Sequence, residues 1–173
     1  MRYLFFAVVL AGACAAGVRS PEVRYEPTPM DVVHQMLALA ELRASDVVAD
    51  LGCGDGRIVI EAARRYGSSG LCVDIDPQRI ADAVRNARAA GVAERIRFVN
   101  DDLLRVELRE VTVVMLFLSP ALNRELRPRL QRELPRGARV VSHWHNMGDW
   151  PADRVVRITS DRRERPVYLW VLP

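Results

Sequence analysis

Short apolar segments rich in β-branched residues alternate with amphipathic segments from residue 46 onward. Five of them are apolar on both faces, as strands buried in a parallel sheet are: residues 47–51, 71–75, 96–99, 111–118 and 139–142. Three intervening segments show helical spacing: residues 57–66, 77–90 and 121–134. This alternation predicts a doubly wound, Rossmann-like α/β domain in which helices cover a mostly parallel sheet.

The two ends of this pattern are different. Residues 154–159 and 167–172 read as strands, and the polar link between them is too short for a crossover, so we expect a C-terminal antiparallel hairpin. Ahead of the sheet, Thr28 is predicted as the N-cap of a helix, with Pro29 at its first position and Asp31 completing a capping-box variant.

The first 20 residues differ from the rest in composition. Residues 3–18 carry no charge, follow Arg2 and end in a run of small residues, which is typical of a secretory signal. A helix of this length would reach only about 24 Å, short of the roughly 30 Å hydrocarbon core of a bilayer. We therefore expect a signal peptide or membrane anchor over residues 1–20 and one domain over residues 21–173. A lipid on Cys14 and a mischosen start codon are alternatives.

Charge and cysteine content limit the class of protein. All 25 basic side chains are Arg, and residues 121–173 hold 11 of them against 6 acids, whereas residues 21–120 hold 12 against 16. The basic excess in the last third favours contact with an acidic protein, an anionic membrane or nucleic acid, and the alternative is a solvated basic face. A hydrophobic content of 50% with 3 Cys excludes a disordered chain or a disulfide scaffold. Cys53 and Cys72 could pair, but we interpret both as free thiols.

A glycine-rich loop follows the first predicted strand. It reads Asp50 Leu51 Gly52 Cys53 Gly54 Asp55 Gly56 Arg57 and leads directly into a predicted helix. Glycines at alternate positions let backbone amides approach a ligand beside the positive end of that helix. A dinucleotide fingerprint would need glycine at position 57, so Arg57 argues against a nicotinamide cofactor.

Carboxylates stand at the end of the second predicted strand and after the third. Asp74 lies twenty residues after Gly54, where a carboxylate can accept both hydroxyls of a ribose. Asp76 is expected to cap the helix that Pro77 opens. Asp102 follows the third strand, where an adenine amino group could donate to it.

The glycine loop and the two acids together resemble the seven-stranded, class I S-adenosylmethionine-dependent methyltransferases. The resemblance implies that the loop glycines line the methionine part of the cofactor, that Asp74 holds its ribose and that Asp102 holds its adenine. The predicted cofactor-binding residues in these motifs are Asp50, Gly52, Gly54, Gly56, Asp74, Ile75 and Asp102.

A narrower resemblance covers nearly all of residues 25–173. The motif at 25–29, the segment 50–61 and the residues at 142–143 and 147–150 look like a group of small bacterial methyltransferases. These are similar to the mitochondrial lysine methyltransferases that modify the ATP synthase c subunit and the adenine nucleotide translocase. The resemblance implies that Tyr25 and Thr28 border the cofactor and that the acceptor is a protein side chain, with lysine as the candidate. Related bacterial sequences tend to be acidic just after the His, whereas residues 144–146 are neutral here.

The end of the fourth predicted strand is where sheets of this kind place the reacting group. Ser119 and Pro120 stand there, and together with His143 they are the predicted catalytic residues. Enzymes that methylate exocyclic amines of bases resemble one another in an Asn/Asp/Ser-Pro-Pro-aromatic element at this point. This chain lacks the second Pro and the aromatic residue, which disfavours nucleic acid as the acceptor. His143, His145 and Asp149 offer too few ligands without a supporting Cys pair, so no metal site is predicted.

The sequence thus predicts an S-adenosylmethionine-dependent methyltransferase that acts on a protein side chain. The alternatives are a methyltransferase of small molecules or nucleic acids, and an exported cofactor-binding protein without activity. The N-terminal segment favours a membrane-associated or exported protein, whereas the supply of the cofactor favours the cytoplasmic side. Trp144 and Trp150 either shape the substrate mouth or cover the sheet edge.

Overall fold

A computed structural model describes residues 25–173, so the predicted signal or anchor lies outside the described residues. The strands are β1 (Val47–Leu51), β2 (Ser69–Asp74), β3 (Ile96–Asn100), β4 (Val113–Leu116), β5 (Arg139–His143), β6 (Arg154–Ser160) and β7 (Arg163–Val171). The helices are α1 (Met30–Leu39), α2 (Arg57–Tyr66), α3 (Pro77–Ala89) and α4 (Pro120–Glu133), with a short 3-10 helix at Ala93–Arg95. In this part of the chain no helix is both long and apolar enough to cross a membrane.

The seven strands form one sheet in the order β3-β2-β1-β4-β5-β7-β6. The first five strands in this order run parallel, and β7 lies antiparallel between β5 and β6. The predicted fold class, a mostly parallel sheet with a C-terminal antiparallel hairpin, is confirmed. The strand order reverses between β1 and β4, and in sheets of this kind ligands bind in the crevice at the carboxyl ends of the strands beside that point.

Alternate residues of the central strands face two separate hydrophobic layers. Val48 and Met115 pack with α1 and α2 on one face, whereas Ala49 and Leu116 pack with Leu126 of α4 on the other. All five side chains are fully buried. The helices therefore cover the middle of the sheet on both faces and leave its carboxyl edge to the loops.

The C-terminal hairpin is tighter than the sequence predicts. The expected polar link over 160–165 shrinks to Asp161 and Arg162, which adopt φ values of 49° and 61° and form a two-residue turn. Pro166 consequently lies inside β7. Its carbonyl accepts a hydrogen bond from Trp144 N just beyond the end of β5, where the ladder between β5 and β7 ends at the pair His143 and Val167.

The start of α1 differs from the predicted capping arrangement. The N-cap is Pro29, and no side chain caps the helix. Thr28 Oγ1 instead hydrogen-bonds His143 Nδ1 at 3.3 Å, and Asp31 Oδ1 accepts from Ser160 Oγ at 2.9 Å. The prediction of a Thr28 cap is therefore wrong, because contacts with distant strands take both side chains. The predicted Asp76 cap of α3 is confirmed, since its side chain accepts from Gln78 N.

Cys53 and Cys72 form a disulfide, so the prediction of free thiols is wrong. Their Cα atoms lie 5.4 Å apart, within the usual range for a disulfide. The parallel register pairs Asp50 with Cys72, and the loop after β1 hydrogen-bonds back to Val73, which brings the two cysteines together. A sequence separation of 19 residues does not reveal this proximity.

Candidate functional site

A cavity of about 360 Å³ lies at the carboxyl ends of β1, β2 and β4. Its lining includes residues 25–28, 52–55, 74–76, 102–103 and 117–120. Ten of the twelve predicted site residues line it, and the two that do not are Gly56 and His143. The sheet edge thus brings together residues that are far apart in the sequence.

Backbone geometry makes glycine necessary at two positions of the loop. Gly54 has a φ of 55°, and a Cβ there would lie 2.4 Å from the ring of Tyr25. Gly56 has a φ of 77°, and a Cβ there would lie 2.9 Å from that of Ala83. Gly54 therefore lets the N-terminal segment close over the loop, whereas Gly56 serves the packing of α2 against α3.

Asp50 is a buried acid at the end of β1. Its side chain lines the cavity, yet Oδ2 has no hydrogen-bond partner among the described residues. Burial, together with the negative charges of Asp74 and Asp55, raises the pKa of Asp50 to about 8. An acid in this state gains a partner and becomes charged when a cationic group enters the cavity.

The acid at the end of β2 is held in a fixed orientation. Asp74 Oδ2 accepts a hydrogen bond from Gly54 N at 2.9 Å, and Oδ1 accepts one from Asp76 N at 3.0 Å. Asn100 Nδ2 donates to the carbonyl of Asp74 from the neighbouring strand. Each carboxylate oxygen retains a lone pair, so Asp74 can still accept from ligand hydroxyls.

The residues next to Asp74 and after β3 complete this wall of the cavity. Ile75 follows Asp74 and lines the cavity, and its carbonyl accepts a second hydrogen bond from Asn100. Asp102 also lines the cavity, and its Oδ1 accepts from Leu104 N at 2.9 Å. A carboxylate therefore stands at the predicted adenine position.

The segment before α1 covers part of the site. The Tyr25 ring lies 4.7 Å from the guanidinium of Arg79, and burial and the charge of Asp55 raise the Tyr25 pKa. Arg57 binds Asp55 with its guanidinium and also donates to the carbonyl of Thr28. These contacts attach the N-terminal segment to the first turn of α2.

The opposite end of the cavity contains the predicted catalytic pair. Ser119 and Pro120 line the cavity, and Ser119 caps α4 by accepting from Leu122 N. Phe117 and Leu118 add apolar surface on the same side. This end can therefore receive an apolar stem.

His143, which was predicted to be catalytic, is not among the described residues that line the cavity. It is fully buried, with its ring centroid 4.2 Å from that of Phe117. Burial, with further contributions from Arg165 and His145, lowers the pKa of His143 to about 4. His145 lines the cavity instead, because β5 ends at His143 and the backbone then turns at Trp144 with a φ of 70°.

The two tryptophans of this region both contact residues of β7. The Trp150 ring packs 5.7 Å from that of Trp170, whose Nε1 donates to the Trp150 carbonyl. The Trp144 ring lies 5.5 Å from the guanidinium of Arg165. Neither Trp144 nor Trp150 is among the described residues that line the cavity. Within residues 25–173, no group of His, Cys, Asp and Glu is arranged to hold a metal ion.

The comparisons with known proteins agree with this geometry. Residues 50–154 match the family profile of the ANTKMT methyltransferase domain. The chain belongs to this methyltransferase family. A protein-lysine N-methyltransferase of Saccharolobus islandicus (strain REY15A) is 39% identical over 153 residues, which cover 88% of this methyltransferase and 95% of that protein. The adenine nucleotide translocase lysine N-methyltransferase of Mus musculus is 34% identical over 82% of this chain and 61% of that protein.

One solved structure that is similar to this chain contains the form of the cofactor that remains after methyl transfer. It is described as an RNA methyltransferase from Salinibacter ruber in complex with S-adenosyl-L-homocysteine. It is 45% identical to this methyltransferase, with a TM-score of 0.82, and covers 86% of this chain and 94% of that one. This methyltransferase is an S-adenosylmethionine-dependent enzyme.

The residues at the cavity fit that cofactor. The unpartnered Asp50 oxygen suits the ammonium of its methionine part, and Asp74 and Asp102 suit ribose hydroxyls and an amino group. When bound, S-adenosylmethionine supplies an electrophilic methyl group on a sulfonium. The enzyme's own residues have to hold the acceptor in line with that group and exclude water.

Proposed function

We propose that this methyltransferase modifies the side-chain amine of lysine in a protein. The charge of the cavity carries the proposal. Six acids line it against two arginines: Glu26, Asp50, Asp55, Asp74, Asp76 and Asp102 against Arg57 and Arg79. With Asp50 largely protonated near neutral pH, the lining remains net negative. Such a site attracts a cationic acceptor and repels a phosphodiester.

The end of the cavity that contains Ser119 and Pro120 suits the side chain of lysine. Phe117, Leu118 and Leu122 offer apolar surface for a methylene stem, and Glu26 offers a negative charge at the same cavity. The lysine methyltransferases among the relatives support the same acceptor. Proximity is the main contribution that such a site makes to the reaction.

RNA is the second candidate acceptor. It is favoured by the similarity to the Salinibacter ruber protein, which is described as an RNA methyltransferase. The negative lining opposes it, and so does the sequence after Pro120, where base-methylating enzymes have a further Pro and an aromatic residue.

The acceptor can be identified with labelled cofactor. The purified enzyme is incubated with methyl-tritiated S-adenosylmethionine and lysate from a strain that lacks the gene, and portions are then treated with protease or ribonuclease. We expect label that is lost with protease and recovered as methyllysine after acid hydrolysis. Because the enzyme contains no lysine, any methyllysine comes from another protein. Loss of label with ribonuclease instead would establish RNA as the acceptor and overturn the proposal.

The residues assigned to the cofactor can be tested separately. Asp74→Ala should abolish binding of S-adenosylmethionine in calorimetry, because this carboxylate lines the cavity and also holds Gly54 N. Glu94→Ala, an exposed acid in the 3-10 helix, is the matched control and should bind as the parent does. Unchanged affinity in the Asp74 variant would exclude the assigned ribose position.

We also propose that the enzyme works at an anionic membrane surface, on the side that contains the cofactor. Support comes from the uncharged segment 3–18 and from four arginines of the last third that have no ion-pair partner within residues 25–173: Arg124, Arg136, Arg162 and Arg163. Fractionation should recover the full chain with membranes and a 21–173 variant mainly in the soluble fraction. A soluble full chain, or recovery outside the cytoplasmic membrane, would contradict this location.

A further inference from the structure

His145 belongs to the cavity without having a structural partner there. His145 lines the same cavity as Ser119 and Leu122, and its ring makes no hydrogen bond or ion pair to any residue of 25–173. By contrast, His34 is paired with Glu61 at 3.0 Å and His143 with Thr28. His145 is therefore the histidine whose ring nitrogens are available to a molecule in the cavity.

The backbone of His145 is fixed by buried polar groups. Its carbonyl accepts from Ser142 Oγ at 2.6 Å and from Asn123 Nδ2 at 3.2 Å, and its own N–H donates to the His143 carbonyl. Asn123 and Ser142 are both fully buried. This arrangement holds the His145 ring at the cavity although the residue belongs to a loop.

The ring is suited to accept a proton. Burial lowers the pKa of His145 below its usual 6.5, and no charged group contributes to the shift. His143, which is also influenced by Arg165 of β7, is close enough to His145 for their charges to interact. The other titratable groups that line the same cavity are Tyr25, Glu26, Asp50, Asp55, Arg57, Asp74, Asp76, Arg79 and Asp102. The imidazole is accordingly neutral at pH 7, with one ring nitrogen free to act as a base.

From this geometry, and resting on the proposed lysine acceptor, we propose that His145 is the base that deprotonates the acceptor amine. An ammonium cannot act as a nucleophile until it loses a proton. In the proposed step an N–H bond of the acceptor ammonium breaks and an N–H bond forms on the neutral imidazole, which leaves an amine and an imidazolium. The imidazolium then returns its proton to solvent, because His145 is only half-buried. No oxidant or further reactant is needed.

Chemical rescue tests this role directly. His145→Ala should lower kcat on the lysine acceptor by roughly 100-fold, the lower end of the range for general base catalysis. Imidazole added to the assay should restore activity to this variant and leave the parent unchanged, because it can occupy the space of the lost ring. His145→Gln, which fills that space, should be equally slow and not rescued. His34→Ala should match the parent.

Two further measurements separate catalysis from folding. Calorimetry with S-adenosyl-L-homocysteine should give the same affinity for the parent and both His145 variants. The parent's kcat/KM should fall as pH decreases through the pKa of the ring, because protonation removes the base, and this acidic limb should be absent from the variants. Methyllysine formed at the parental rate by His145→Ala overturns the role of His145 alone. If the parent enzyme transfers the label to a group other than an amine, the proposed function is overturned. The proposed role of His145 is then overturned as well.

Discussion

The buried acid at the end of β1 makes the stability of the cofactor-free enzyme depend on pH in an unusual direction. Asp50 is 2% exposed, and its pKa in the folded chain is raised from 3.8 to about 8. The folded state therefore binds a proton more tightly than the unfolded state. The contribution of Asp50 to stability is fully present below pH 3.8 and is lost progressively as pH rises to about 8.

The size of the effect follows from linkage. Between the two pKa values, the free energy of unfolding falls by about 1.4 kcal/mol for each pH unit, because only the folded state retains the proton. From pH 5 to pH 8 the loss from Asp50 amounts to roughly 3 to 4 kcal/mol. The side chain of the Asp50→Asn variant cannot ionise, so the free energy of unfolding of this variant lacks the pH-dependent loss. The stability of the variant relative to the parent should therefore increase by that amount across the range.

Urea unfolding of the cofactor-free parent and variant at pH 5, 6, 7 and 8 measures this difference. Any constant cost of introducing the amide shifts all four values equally and leaves the slope intact. Parallel pH profiles for parent and Asp50→Asn would refute the reasoning, since they would mean that Asp50 titrates alike in both states. Cofactor affinity should also fall in this variant, because an amide cannot pair with an ammonium as a carboxylate does.

A second buried aspartate provides the matched control. Burial would raise the pKa of Asp46, but hydrogen bonds from Thr112 and other groups, together with the charge of Arg139, hold it below 3.8. Its stabilisation is present above pH 3.8 and is lost only as pH falls further. The stability difference between Asp46→Asn and the parent should accordingly be constant from pH 5 to pH 8.

Two further predictions concern the glycine loop. The disulfide between Cys53 and Cys72 closes a loop of about 20 residues, so its loss should lower the free energy of unfolding by about 3 kcal/mol. Denaturant unfolding with and without a reductant measures this, and a Cys53→Ala, Cys72→Ala double variant should not respond to the reductant. Gly56→Ala should destabilise the enzyme by more than the roughly 1 kcal/mol expected for Gly137→Ala. Both glycines have positive φ, but only Gly56 would place a Cβ in contact with Ala83, so equal losses would contradict the packing argument.

Local pattern was enough to predict the elements of this fold. The predicted bounds of β1 and α2 agree with the structure at both ends, and the Asp76 cap stands where the sequence places it. These features depend on residues a few positions apart, through side-chain alternation, helical spacing and capping. The acids at the ends of β1 and β2 and after β3 were predictable for a related reason, since the carboxyl ends of parallel strands meet at one edge of the sheet.

Contacts between distant residues were not predictable in this way. His143 and His145 stand two positions apart, as residues on one face of a strand do, but β5 ends at His143, and only His145 reaches the cavity. Thr28 has the sequence environment of a helix cap, yet its hydroxyl bonds a histidine 115 residues away. The position of each of these side chains depends on residues that are distant in the sequence and adjacent in the folded protein.

The sequence by itself therefore determined the order of strands and helices, the glycine loop and the acids that are predicted to bind the cofactor. Only the tertiary structure decided that Cys53 and Cys72 pair, that Asp50 is buried with an unpartnered oxygen, and that His145 lines the cavity. The reason is physical. Periodicity records the interactions of a residue with its near neighbours, whereas burial, pairing and pKa depend on what the assembled sheet places beside it.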